Sequence, residues 1–133
     1  MDDFDLIQLK IRTVQVYALA AKILSGLDLP IMLTPFTEET SPSDMITSIE
    51  HARGVLADLP MDRMACGALA TAITDWLSAM VLIVTGATEK DDTAQWMATA
   101  ALLQFDRAEQ ELKLAQGILA GEIQVVEEDP DKQ

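Results

Sequence analysis

This sequence predicts an all-α protein: a four-helix bundle, up-and-down with one long first connection. Three observations carry that expectation. Ala, Leu, Met, Gln and Glu dominate, and alternating runs of β-branched residues are missing. Apolar residues recur at steps of four and three in four separate segments, the spacing of a helical face. Between Arg63 and Glu89 the chain reads MACGALATAITDWLSAMVLIVTGAT with a single charge, Asp75. A rod that apolar must be wrapped by its own chain, by a partner or by lipid.

The first helix is expected over residues 3–25. Ile7, Ile11, Val14, Ala18 and Ala21 form its buried stripe, widened by Leu9, Val16, Leu19 and Ile23. Gln8, Arg12, Gln15 and Lys22 supply the polar side. Asp2, Asp3 and Asp5 suit the positive N-terminal end of the helix, and Gly26 suits its stop.

The second helix is expected over 42–58. Ser41 offers a capping hydroxyl, Pro42 a first residue whose missing N–H costs nothing, and Asp44 a carboxylate that completes a capping box. Met45, Ile49, Ala52, Leu56 and Leu59 are its stripe, ended by Pro60. The third, over 61–86, buries Leu69, Ile73, Trp76, Met80 and Ile83 and closes at Gly86. The fourth, over 91–120, buries Ala98, Leu102, Phe105, Ala108, Leu112, Ala115 and Leu119 and closes at Gly121, with Thr88 or Asp91 as its cap. Asp106–Gln110, Arg107–Glu111 and Glu109–Lys113 are placed on its wet side.

Short second and third connections make those neighbours antiparallel. Residues 1–121 read as one domain, and 122–133, with Glu122, Glu127, Glu128, Asp129 and Asp131, as a disordered acidic tail. A chain of 133 residues buries roughly two-thirds of its surface on folding. With half of its residues apolar and a mean hydropathy of +0.19, some apolar surface is left for a partner.

The 22 acids against 9 bases give a net charge of −13. Phosphates repel such a chain, so direct nucleic-acid binding is not expected. Solubility, attraction to a basic partner, or mimicry of a nucleic-acid backbone remain. Cys66 is the one cysteine, so no internal disulfide forms, and the acidic start MDDFDL lacks the basic leader of a secretory signal. A reducing cytoplasm is the expected location.

The third segment is long enough to span a bilayer. Against a membrane role stand Asp75 near its middle, where a charge costs about 2.5–3.5 kcal/mol, and the absence of flanking basic anchors. Gly67, Thr71, Thr74, Asp75, Ser78 and Thr85 line one side of it, interrupted by Leu82. Asp75 is either an exposed or half-exposed carboxylate on that thin polar stripe, the preferred reading, or a buried or interface group paired with Arg12, Lys22, Lys113 or its own counterpart in a second copy.

Chemical signatures are sparse. His51 is the single histidine and reads as solvated; Cys66 sits in an apolar turn away from basic groups and reads as inert. No phosphate-binding glycine loop or calcium loop is present, so no catalytic, cofactor or metal residues are assigned. Met45, Met64 and Met80 fall where core is expected.

The segment GLDLPIMLTPF, residues 26–36, resists a plain structural reading. Its two prolines forbid a regular helix, yet Leu29, Ile31, Met32, Leu33 and Phe36 are apolar. It either caps the bundle or binds a partner. The function this implies is a non-catalytic helical protein–protein interaction module (accessory subunit, chaperone or inhibitor) that self-associates, with a dimer expected. The alternatives are an acidic nucleic-acid-mimicking inhibitor of a DNA-binding protein and a membrane-associated subunit with 61–86 inserted.

Overall fold

The computed structural model describes residues 3–27, 33–34 and 36–123. Four helices follow in order: α1 (Asp3–Ser25), α2 (Pro42–Leu56), α3 (Arg63–Gly86) and α4 (Asp91–Leu119), with no strand among the described residues. The expected boundaries hold to within two residues at each helix end.

The caps explain most of those boundaries. Ser41 and Asp44 form a reciprocal capping box, the hydroxyl accepting from the Asp44 N–H at 3.1 Å and the carboxylate from the Ser41 N–H at 3.0 Å. Asp62 caps α3 through the Met64 and Ala65 amides. The N-cap of α4 is Lys90, which makes no side-chain bond, with Asp91 the first helical residue, while the Thr88 hydroxyl turns back to the Thr85 carbonyl of α3. Gly121 ends α4 at a φ of 75°, with the Gly121 N–H bonded to the Ile118 carbonyl and the Glu122 N–H to that of Gly117. This is a Schellman turn, which needs a residue that tolerates left-handed backbone. It draws Glu122 and Ile123, assigned to the tail on sequence, into the folded unit; residues 124–133 lie outside the described residues.

α3 is covered chiefly by α4. Nine alanines are buried in this pair: Ala65, Ala68, Ala72 and Ala79 from α3, and Ala94, Ala98, Ala101, Ala108 and Ala115 from α4. Side chains that small let two backbones approach closely along their length, and no other helix pair in the protein is in such extensive contact. Larger groups fill the centre, where Trp76, Tyr17, Phe105, Ile49, Ile73 and Leu112 are almost fully buried. The Trp76 indole donates to the Thr13 carbonyl at 3.2 Å, and its ring lies 5.9 Å from that of Tyr17.

Contacts set the topology. Leu9 and Met80 line one groove, the Thr13 carbonyl accepts from Trp76, and Val16 and Ile73 line one small cavity, so α1 runs against α3. Arg12 reaches Asp106 and Glu109 while Val16 and Ala20 approach Leu112, so α1 runs with α4. α2 lies antiparallel along α3, with Arg53 near Thr74 and Ile46 near Val81. Around the bundle the order is α1, α4, α3, α2. α2 begins beside the first turns of α1, with Thr40 and Pro42 near Leu6 and Leu9, and of the first connection the described residues Leu33 and Thr34 lie between α1 and α2.

The face of α1 is a correction to the sequence reading. Its buried stripe is Leu9, Thr13, Val16, Tyr17, Ala20, Ile23 and Leu24, whereas Ile7, Ile11 and Ala18 point outward. The chosen stripe and its opposite are both apolar, and the one carrying the larger groups, Tyr17 and Leu24, took the core. Thr13 fits there because its hydroxyl donates to the Leu9 carbonyl at 2.7 Å. Met64, expected inside, is exposed in the first turn of α3.

Candidate functional site

Two places bring the sequence-singled residues together. The first is the crossing between α1 and α2. Leu29, Ile31 and Met32 lie outside the described residues; Leu33 and Phe36 are described, and their environments differ. Leu33 is 5% exposed and belongs to the core. The next residue is held from both sides: the Tyr17 hydroxyl donates to the Thr34 carbonyl, and the Thr34 N–H donates to Ser48 Oγ at 2.8 Å. Here the segment does seal the bundle. Phe36, by contrast, is 44% exposed and stands between two open grooves. One, of about 430 Å³, is almost wholly apolar and is lined by Leu6, Leu9, Val14, Met45, Met80 and Ile83. The other, of about 550 Å³, runs past Tyr17, Ala18, Ala21 and Lys22.

The second place is the α3–α4 seam. The Asp75 side chain is 13% exposed, and its partner is none of the three cations proposed from the sequence. Arg12 is committed to Asp106 and Glu109 at 2.8 and 2.7 Å, and Lys113 to Glu109 at 3.4 Å. Asp75 instead faces Arg107, whose Nε is 4.0 Å from Oδ2, and Glu111. Glu111 had been assigned to the wet side of α4; it is half-buried, because four residues after Arg107 its side chain leans towards α3 rather than into water.

Asp75 Oδ2 and Glu111 Oε2 are buried and neither accepts a hydrogen bond. Two carboxylates sharing a half-buried site do not both ionise easily. Burial, followed by the hydrogen bond and charge of Asp75, pushes the Glu111 carboxyl up to about 7, and Arg107 opposes the shift. Below about 7 the Glu111 carboxyl therefore keeps its proton beside Asp75. Gln104 Oε1 is likewise buried without a partner. The sequence signal was only the Arg107–Glu111 spacing; nothing in it revealed that the pair turns towards Asp75.

This arrangement can store a proton, and the residues needed for more are engaged elsewhere. The Cys66 thiol donates to the Leu56 carbonyl at 3.4 Å. Thr71 and Thr74 bond back to the carbonyls of Gly67 and Ala70. His51 is exposed on α2. Among the described residues no group of three His, Cys, Asp or Glu side chains is arranged to hold a metal ion. Comparison with protein-family models, with curated proteins and with solved structures found no match to this chain.

Two outcomes follow from these sites. Glu111 holds its proton to about pH 7 when folded and to about 4.5 when unfolded, so between those values the folded chain binds the extra proton. Its stabilising contribution is complete below 4.5 and is lost as pH rises through 7. Glu109, held below the usual carboxylate range by the hydrogen bond from Arg12, loses its contribution only at the acid end. Urea unfolding of Glu111→Gln should therefore depend less on pH between 5 and 8 than the parent; identical slopes would contradict the shared proton. At the crossing, Leu33→Ala should cost about 2–5 kcal/mol in the same assay, as for other core truncations, whereas Phe36→Ser should cost less than about 1 kcal/mol. Equal losses would make Phe36 a cap as well.

Proposed function

We propose that this protein is a non-catalytic helical interaction module whose first partner is a second copy of itself. The supporting observation is the apolar surface left uncovered. Eleven large apolar side chains are exposed among the described residues, and Leu6, Ile7, Ile11 and Phe36 gather on α1 and the crossing beside it. An apolar patch of that kind on a small acidic protein is an association surface. The carboxylates that are drawn together, Asp75 and Glu111, act on the stability of the fold.

α3 passes the length and composition test for a membrane span, with a mean hydropathy of 1.7 over its most apolar window. Its partner argues for water. α4 packs along α3 and carries Asp106, Arg107, Glu109, Glu111 and Lys113, so inserting α3 in this arrangement would drag charged groups towards the hydrocarbon.

Static light scattering of the purified chain in aqueous buffer without detergent should give the mass of a dimer or a larger species. A mass of 14.5 kDa at every soluble concentration would contradict self-association.

A further inference from the structure

We propose that two copies of this chain pair through the outer face of α1, antiparallel, crossing at Val14. The inference rests on the reading of the protein as a self-associating module and names the surface and its geometry.

α1 carries two apolar stripes, and the bundle uses one. The other is Ile7, Ile11, Val14, Ala18 and Ala21, with Ile7, Ile11 and Ala18 exposed and Val14 and Ala21 half-buried. Its steps of four, three, four and three are those of a seam made for another helix. The rival faces are less suited. The outer stripe of α3 carries Gly67, Thr71, Thr74, Ser78 and Thr85 between its exposed apolar groups, Met64 at one end and Val81 and Val84 at the other, and Arg107 and Gln110 interrupt the α4 row of Trp96, Leu103 and Leu114.

The stripe is complementary to itself in one direction. Antiparallel pairing about Val14 sets Ile7 and Ile11 against the partner's Ala21 and Ala18, large against small along the seam. Parallel pairing would set isoleucine on isoleucine and leave alanine facing alanine across a gap, which close packing disfavours.

Charge selects the same surface and direction. Between Asp5 and Asp28 no acid occurs, although the whole chain has 22. Two copies that each carry a net charge of −13 repel one another least where carboxylates are missing. Of the three cations there, Arg12 is turned to α4, which leaves Lys10 and Lys22 exposed beside the stripe. In the antiparallel register Lys22 lies level with the partner's first turn, far from the partner's Lys22. A parallel register would oppose lysine to lysine.

Disulfide trapping in a Cys66→Ala background tests the arrangement. Oxidising a mixture of the Ile7→Cys and Ala21→Cys proteins should give the mixed 7–21 dimer in preference to either homodimer. Ile11→Lys with Ala18→Lys, both on exposed positions, should convert the dimer to a folded monomer by light scattering and circular dichroism. Preferential Ile7→Cys homodimers would overturn the antiparallel seam. A dimer that survives the lysine pair and gives no mixed disulfide would overturn the α1 surface while leaving self-association intact, and a parent chain that is monomeric throughout would overturn both.

Discussion

The need to hide α3 governs this structure. A helix of 24 residues carrying Arg63 at its start and Asp75 as its one internal charge would expose a continuous apolar surface in water, and hydration of that surface is unfavourable. α4 solves most of the problem. Alanines at nine buried positions of the pair permit a close backbone approach over the length of both helices. α1 and α2 complete the cover with larger groups, and the Trp76 indole ties α3 to the Thr13 carbonyl of α1. Packing of small against small leaves little tolerance for added volume, so α3 and α4 are expected to behave as one unit.

That solution has two consequences. A seam so closely packed leaves polar groups at its margin partly dehydrated, and Asp75 and Glu111 are caught there with Arg107 beside them. It also leaves α1 as the helix with surplus. Only one of its apolar stripes is needed against α3 and α4, and the second remains in solvent next to the grooves around Phe36.

Local features of this fold were legible in the sequence wherever one physical cause dominated. The capping box at Ser41 and Asp44, the glycine stop at Gly121 and the four-three spacing of Leu69, Ile73, Trp76 and Met80 each have a single interpretation, and each is realised. Legibility failed where two solutions were equally apolar. Periodicity could not rank the stripe through Ile7 and Ile11 above the one through Leu9 and Val16, because the choice rests on what Tyr17 and Trp76 do together across the core. Glu111 was misplaced for a related reason. A charge at a helix margin reads as solvated until the neighbouring helix is known to lie within reach. Leu33 and Phe36 shared one apolar run in sequence, and only the anchoring of Thr34 by Tyr17 and Ser48 separates a residue that seals the core from one that stays open.

Native-state hydrogen exchange in aqueous buffer tests the central claim most directly, since amide protection reports how much of a structure must open for exchange. If α4 covers α3 in water, the amides of both helices from Ala68 to Ala79 and from Ala98 to Ala115 exchange only through global unfolding, with a common free energy. Exchange of the α3 amides through local opening, or protection that appears only once detergent or lipid is added, would contradict it.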